Sequence, residues 1–218
     1  IAPDYVLVHQ SVYDDFLKAL KAAIELAYSK AADQSEDYGR LIHAKHIERM
    51  KGFISEASVY YGGETNAETR YVQPTILTEV SKEHRVMQEE IFGPVLPVIS
   101  YEREEEIEEW LTHFPNPLAF YLFSKNKPWA EQLLTQHRFG QAAVNDTIMM
   151  IAEPNLPFGG VGESGHGSYH AKYGFDTFSR EKPVLYRATW LDIPLRYAPY
   201  KGKLGALKGL LKFNRWFS

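Results

Sequence analysis

Short apolar runs alternate with amphipathic segments along most of this 218-residue chain. Runs rich in β-branched and aromatic residues, typical of strands, lie at residues 5–9, 59–61, 71–78, 95–100, 118–123 and 141–145. Apolar residues recur every three or four positions, as in a helix, at residues 11–27, 44–57, 102–113 and 128–137. Strands separated by helices of this length predict an α/β fold, with a mostly parallel sheet flanked by helices and right-handed crossovers.

Composition excludes several classes of site and partner. The chain has no cysteine, so it contains no disulfide, no thiolate metal ligand and no cysteine nucleophile. No run of about 18 apolar residues predicts a membrane span. His43 and His46 form an isolated pair without a third evident ligand, so we predict no metal site. Residues 193–218 carry a charge of +6 and the remainder −10, and this acidic body argues against nucleic acid as a partner.

One segment has the features of a ligand-facing corner. Gly93-Pro94 stops any helix that approaches it, because proline lacks an amide hydrogen and restricts its predecessor. Glu90 and Phe92 therefore lie at the end of an element, immediately before an apolar strand. A carboxylate there can accept two hydrogen bonds from a vicinal diol such as a ribose, and the ring can pack against a flat heterocycle. The alternative is a pair of acids at a helix end followed by a core phenylalanine.

Residues 147–167 interrupt the alternation. An apolar stretch with two methionines is followed by a segment that has five glycines in nine positions, 159–167. Residues 160–165 match the pattern G-x-G-x-x-G, but a proline-punctuated loop precedes them, whereas a dinucleotide fingerprint needs a strand before and a helix after. We therefore reject this match. A surface turn would explain the glycines but not the adjoining methionines and phenylalanine.

Four stretches, in their order and spacing, resemble the aldehyde dehydrogenase superfamily: residues 1–5, 88–95, 116–119 and 157–165. Residues 167–170 and 175–179 are similar to the class-three branch, which includes fatty, aromatic and coniferyl aldehyde dehydrogenases. The resemblance covers residues 1 to about 188. It implies a catalytic domain portion at residues 1–175, oligomerisation strands at 176–190, which pair across a subunit boundary, and a basic C-terminal tail at 191–218.

The resemblance also implies roles for individual residues. Glu90 matches the glutamate that holds the nicotinamide-ribose hydroxyls, and Phe92 matches the phenylalanine beside the nicotinamide of NAD or NADP. Substrate-pocket positions are Asn145, Ile151, Ala152, Phe158 and His170. The family nucleophile is a cysteine in a segment that directly precedes residues like Ile1-Ala2-Pro3-Asp4-Tyr5. The chain thus contains no catalytic residue of its own, and by itself we expect it to be inactive.

The function implied is oxidation of a hydrophobic aldehyde, aliphatic or aromatic, to the carboxylic acid through a cysteine thioester. The expected partners are a small-molecule aldehyde, a second copy in a homodimer and an N-terminal cofactor domain, in a cytoplasmic protein. A non-enzymatic scaffold or pseudo-enzyme dimerisation module is the alternative. A third interpretation is a peripheral membrane protein, in which the basic tail makes at most weak, salt-sensitive membrane contact.

Overall fold

The computed structural model describes residues 1–214. Two compact units divide the chain, the first Ile1–Phe178 and the second starting at Ser179. The strands are β1 Val6–His9, β2 Ser58–Tyr61, β3 Thr65–Asn66, β4 Tyr71–Val72, β5 Thr75–Thr78, β6 Val95–Tyr101, β7 Ala119–Leu122 and β8 Gln141–Val144. The α-helices are α1 Gln10–Tyr28, α2 Ala44–Ser55, α3 Glu104–His113, α4 Lys127–Gln136, α5 Ala171–Thr177 and α6 Leu204–Asn214.

The predicted α/β fold with a mostly parallel sheet is confirmed. The main sheet has the order β1-β6-β5-β2, in which β6 runs parallel to both β1 and β5. Only the edge strand β2 is antiparallel to its neighbour in that sheet. Strands β7 and β8 form a separate parallel pair joined through α4, and β3 pairs with β4 in a small antiparallel ribbon. Parallel pairing accounts for the helical crossovers that the sequence predicted.

Helices cover both faces of the main sheet. Side chains on a strand alternate between its two faces, so Ile76 and Val98 join α1 in one apolar cluster. Leu77 and Ile99, the next residues on the same two strands, join α2 in a second apolar cluster on the opposite face. The α2 face of the core contains three side chains with no solvent exposure, spaced three residues apart, which are Ile47, Met50 and Phe53. This spacing places them on one helix face, directly beneath the segment that leads into β6.

The segment predicted to form oligomerisation strands has a different conformation in the single chain. Helix α5 occupies its start as far as Thr177, and no strand is assigned within residues 178–190. The strands expected at residues 176–190 are therefore not present within one chain. A strand needs a neighbouring backbone to bond with, so pairing across a subunit boundary stays a prediction, as does the division at residues 175 and 190.

The second unit contains the helical part of the basic tail. Arg187 pairs with Asp192 at 2.7 Å, and the Lys203 ammonium donates to the carbonyls of Pro194 and Tyr197. Helix α6, Leu204–Asn214, follows. Residues 215–218 of the predicted tail lie outside the described part. Across residues 1–214, none of the helices combines the length and hydropathy needed to span a bilayer.

Candidate functional site

The Glu90 corner, residues 88–94, presents two side chains outward from a fixed backbone. Its last buried residue before the turn is Ile91, which is 2% exposed, whereas Phe92 is 74% exposed. The alternative interpretation of Phe92 as a core residue is therefore wrong. The Glu90 carboxylate is also exposed, and no donor within residues 1–214 hydrogen-bonds to it. An exposed carboxylate and an exposed ring two residues apart are available to a ligand.

Two distant side chains hold the backbone of this corner. The Arg49 guanidinium, from α2, donates to the Glu90 carbonyl at 2.8 Å and to the Ile91 carbonyl. The Asp4 carboxylate accepts the Ile91 amide hydrogen at an N–O distance of 3.0 Å. Phe92 has a left-handed backbone with φ of 46°, which is unfavourable for a residue other than glycine. The flanking contacts keep the turn in this conformation.

Asn145 lies at the carboxyl end of β8 but uses its side chain internally. Its amide oxygen accepts from the Ser124 backbone amide at 2.9 Å, and its amide nitrogen donates to the Ser124 carbonyl at 3.0 Å. Both atoms of the amide therefore bind the loop that follows β7. This predicted pocket residue fixes the end of the β7–β8 pair, from which the 147–152 loop departs.

Tyr121 anchors the 147–152 loop, a role that the sequence did not reveal. Its hydroxyl donates to the Ile1 carbonyl at 2.8 Å and accepts from the Ile148 amide at 3.4 Å. Ile148 has a φ of 62°, which is strained for a β-branched residue. The hydroxyl thus joins the first residue of the chain to a strained point in the loop. No local motif surrounds Tyr121, since it occupies an ordinary position in a strand.

The 147–152 loop presents an apolar surface. A single 3₁₀ turn, Met149–Ala152, is anchored by Met150, which is buried. The predicted pocket residues Ile151 and Ala152 lie in this turn, the first half-buried and the second exposed. Ile148 and Met149 are each about half exposed or more, at 48% and 60%. The sequence prediction named Ile151 and Ala152 and did not name the exposed apolar side chains of Ile148 and Met149.

Phe158 and His170 come together through a short antiparallel bridge. The backbones of Phe158 and Tyr169 exchange two hydrogen bonds, with N–O distances of 3.0 and 2.8 Å. The ring centroids of Phe158 and His170 are 6.1 Å apart, and Tyr169 lies 4.5 Å from His170. The His170 Nδ1 is 2.9 Å from the Leu156 carbonyl, and because a carbonyl only accepts, Nδ1 carries the proton.

Comparisons with known proteins identify the family of this chain. Residues 1–184 match the family described as "Aldehyde dehydrogenase family". The 4,4'-diaponeurosporen-aldehyde dehydrogenase of Staphylococcus aureus is 42% identical over 214 residues, 97% of this chain and 47% of that protein. A bovine relative, "Aldehyde dehydrogenase, dimeric NADP-preferring", is 41% identical over 187 residues, 86% of this chain and 78% of that sequence. The chain belongs to the aldehyde dehydrogenase family.

The fold of this aldehyde dehydrogenase chain is also that of solved family members. A structure described as the substrate-bound state of Staphylococcus aureus AldH superposes with a TM-score of 0.86 at 41% identity. That match covers 97% of this chain and 46% of the other. The chain therefore spans about half the length of the Staphylococcus relatives that it matches. Its homologues include members of aldehyde dehydrogenase family 3, in keeping with the class-three resemblance.

In this aldehyde dehydrogenase chain, the glycine-rich segment serves close backbone packing. A Cβ on Gly159 would lie 2.2 Å from the Gly167 carbonyl oxygen, and one on Gly160 would lie 2.1 Å from that of Ser164. Only a 3₁₀ turn of three residues, Gly162–Ser164, follows the glycine pair, where a dinucleotide fingerprint would need a helix. Rejecting that fingerprint was therefore correct. Among the described residues, no cluster of three or more metal-ligating side chains is present.

Proposed function

We propose that this chain is the catalytic-domain portion of an NAD(P)-dependent aldehyde dehydrogenase that oxidises a hydrophobic aldehyde to its carboxylic acid. The observation that carries the proposal is the Glu90 corner, whose exposed carboxylate and exposed Phe92 ring stand on a backbone held by Arg49 and Asp4. The named activities of its homologues support the reaction class. Because the chain contains no cysteine, we place the nucleophile outside it.

The residues of the corner fit a nicotinamide cofactor. When bound, NAD or NADP supplies the acceptor for the hydride that leaves the substrate carbon. The Glu90 carboxylate has two oxygens without partners in the described residues, which suits the two hydroxyls of the nicotinamide ribose. The exposed Phe92 ring would pack against the nicotinamide end of the cofactor and help to exclude water there. This arrangement orients the cofactor, and an error of about 1 Å in such positioning costs roughly a hundredfold in rate.

The aldehyde is apolar in this proposal. Ile148 and Met149 expose aliphatic and thioether surface on the 147–152 loop, and Phe158 adds an aromatic wall at the glycine-rich segment. Unbranched methionine adapts to ligands of different shape, which suits a long apolar substrate. His170 lies beside the Phe158 ring in this cluster, with its Nδ1 held by the Leu156 carbonyl. A relative named for 4,4'-diaponeurosporen-aldehyde supports an extended apolar substrate.

We also propose a homodimer for the intact enzyme. The bovine relative is described as dimeric, and residues 178–190 include the exposed apolar side chains Val184, Leu185 and Tyr186, with no strand pairing in the single chain. Pairing with the same segment or sheet edge of a second copy would satisfy this backbone and cover these side chains.

The test is Glu90→Gln in the intact enzyme, with single-turnover kinetics. We expect the rate of hydride transfer to fall more than the rate of the thiolate reaction with substrate, because the ribose contact acts on the cofactor. Glu105→Gln, an exposed glutamate on α3, is the matched control and leaves both rates unchanged. An unchanged rate of nicotinamide reduction with a collapsed acylation rate contradicts the role of Glu90.

A further inference from the structure

We infer that Arg49 is a positioning residue for the nicotinamide cofactor, acting through the Glu90 corner. The inference rests on the function proposed above, because it assigns Arg49 no ligand contact of its own. Its guanidinium holds two consecutive carbonyls, those of Glu90 and Ile91, and so sets the direction in which the Glu90 carboxylate and the Phe92 ring point.

The surroundings of Arg49 fix the guanidinium itself. Its side chain is only 22% exposed, and its Nη1 also lies 3.2 Å from the Glu89 carboxylate. The guanidinium carbon is 5.3 Å from the ring centroid of Phe53, which has no solvent exposure. A planar group held against a buried ring and a carboxylate is pre-organised, so little side-chain entropy is lost when it holds the corner.

The corner requires such support because of its backbone. Phe92 has a φ of 46°, a conformation that costs free energy for any residue other than glycine and persists only where the surroundings enforce it. The Ile91 amide is held by Asp4, and the Ile91 carbonyl by Arg49, so the peptide units on both sides of Ile91 are fixed. Removing the guanidinium would leave two carbonyls without these donors and allow the turn to relax. Lysine, a single point charge without a fork, cannot hold both carbonyls in the same geometry.

Arg85 provides a matched control within the same cluster. Its guanidinium also lies over the Phe53 ring, at 5.8 Å from the centroid, and also pairs with Glu89, at 3.8 Å. It pairs in addition with Glu56 at 4.0 Å. Within residues 1–214, however, the Arg85 guanidinium donates to no carbonyl of the corner. Arg85 thus shares the ring and the carboxylate partner of Arg49, but not the backbone contacts that the inference invokes.

The experiment compares Arg49→Lys and Arg49→Met with Arg85→Lys and Arg85→Met in the intact enzyme. Fluorescence titration gives the Kd for NAD and NADP, steady-state kinetics give the aldehyde KM at saturating cofactor, and thermal unfolding checks that each variant is folded. We expect Arg49→Met to raise the cofactor Kd about tenfold, because the Glu90 carboxylate is then no longer pre-organised toward the ribose. Arg49→Lys should raise the cofactor Kd less than Arg49→Met does. In both Arg85 variants the cofactor Kd should stay within about twofold of wild type, and the aldehyde KM should be unchanged in all four variants.

Three outcomes contradict the inference. The first is a cofactor Kd for the Arg49 variants that equals that of wild type. The second is an equal loss in the Arg49 and Arg85 variants, which would reflect the shared cluster and not the carbonyl contacts. The third is an aldehyde KM that rises as much as the cofactor Kd. Arg49→Lys keeps the test valid if Arg49→Met does not fold. Glu90→Gln, measured in parallel, separates the two proposals: if it too leaves the Kd unchanged, the proposed role of the corner fails as well.

Discussion

Gly93→Ala tests whether the Glu90 corner is packed as tightly as the structure indicates. A Cβ on Gly93 would lie 2.4 Å from the Met50 sulfur, closer than real side-chain carbons approach. Met50 has no solvent exposure and lies on α2 between Ile47 and Phe53, so it has little space to move into. Gly93 does not have a left-handed φ, and therefore alanine meets a steric conflict without backbone strain.

Two opposed contributions set the change in the free energy of unfolding caused by Gly93→Ala. Inserting a methyl group into a packed core costs about 1–3 kcal/mol. Replacing glycine by alanine recovers about 0.4–1 kcal/mol by restricting the unfolded chain. We therefore expect Gly93→Ala to lower the free energy of unfolding by about 1–2 kcal/mol. Met50→Ala alone removes a buried side chain and costs about 2–5 kcal/mol. In the double variant, the new methyl group enters the space that Met50 vacated. The double variant should therefore lose less free energy of unfolding than the sum of the two single-variant losses.

Urea unfolding of the four proteins, followed by tryptophan fluorescence, completes this double-mutant cycle. Trp110 is a suitable reporter because it packs against the same core cluster as Met50. We expect a favourable coupling energy of at least about 1 kcal/mol between positions 93 and 50. Gly39→Ala is the control, because nothing lies within 4 Å of its Cβ position. A Gly93→Ala loss no larger than that of Gly39→Ala, or additive losses in the double variant, would refute the packing argument.

Two further predictions concern tyrosine hydroxyls. Burial, with a smaller contribution from the Asp4 charge, raises the pKa of Tyr5 from 10.0 to about 12. Unfolded chains therefore ionise first at this tyrosine as pH rises from 10 to 12, and Tyr5 contributes a fall of about 1.4 kcal/mol per pH unit to the free energy of unfolding in that window. Tyr5→Phe should reduce the slope of the free energy of unfolding between pH 10 and 12, and equal slopes would contradict the assignment. Tyr121→Phe should cost about 0.5–1.5 kcal/mol and speed amide hydrogen exchange at Ile148. Tyr60→Phe, at an exposed position, is its control, and unchanged exchange at Ile148 would rule out the proposed anchor.

The regular elements were predictable because their signals are local. Period-three and period-four apolar spacing identified α1 and α2, and β-branched runs identified β1 and β6. The predicted element boundaries were less accurate where an uncommon residue caps the element. Helix α1 begins one residue before the predicted serine, because His9 acts as the cap and its Nδ1 accepts from the Ser11 amide at 3.2 Å. Histidine is not among the residues preferred for this position, so the preferences for helix caps did not indicate it.

Pro74 accounts for another difference between the predicted and the observed strands. The extended run predicted at residues 71–78 is divided into β4 and β5, with Pro74 between them. Since proline has no amide hydrogen, it cannot bond within a ladder, and the chain changes partner there. Before it, the Gln73 amide bonds to the Glu64 carbonyl, and after it, the Thr75 amide bonds to the Pro94 carbonyl. A propensity for extended structure predicts such a segment but does not indicate where its pairing changes.

The site was predictable only where its residues are close in sequence. Glu90 and Phe92 belong to one short motif, and the ends of their turn are set by the adjacent Gly93-Pro94. Arg49, Asp4 and Tyr121 were not identified, because each acts on residues far away in the sequence, through contacts that only the folded chain creates. The strands expected at residues 176–190 are absent from the single chain for a related reason. Their backbone partners are expected on another subunit, and one chain alone does not provide them.

The two parts of the proposed site share one short backbone segment. Asp4 holds the Ile91 amide in the Glu90 corner, and the Ile1 carbonyl is held by Tyr121, whose hydroxyl also reaches the 147–152 loop. Four residues of extended backbone span at most about 14 Å. The Asp4 contact to the Glu90 corner and the Ile1 contact to Tyr121 are therefore at most about 14 Å apart along the backbone. In each contact a side chain, the Asp4 carboxylate or the Tyr121 hydroxyl, hydrogen-bonds to a main-chain group. This arrangement keeps the apolar loop in register with the Glu90 carboxylate, as the proposed function requires.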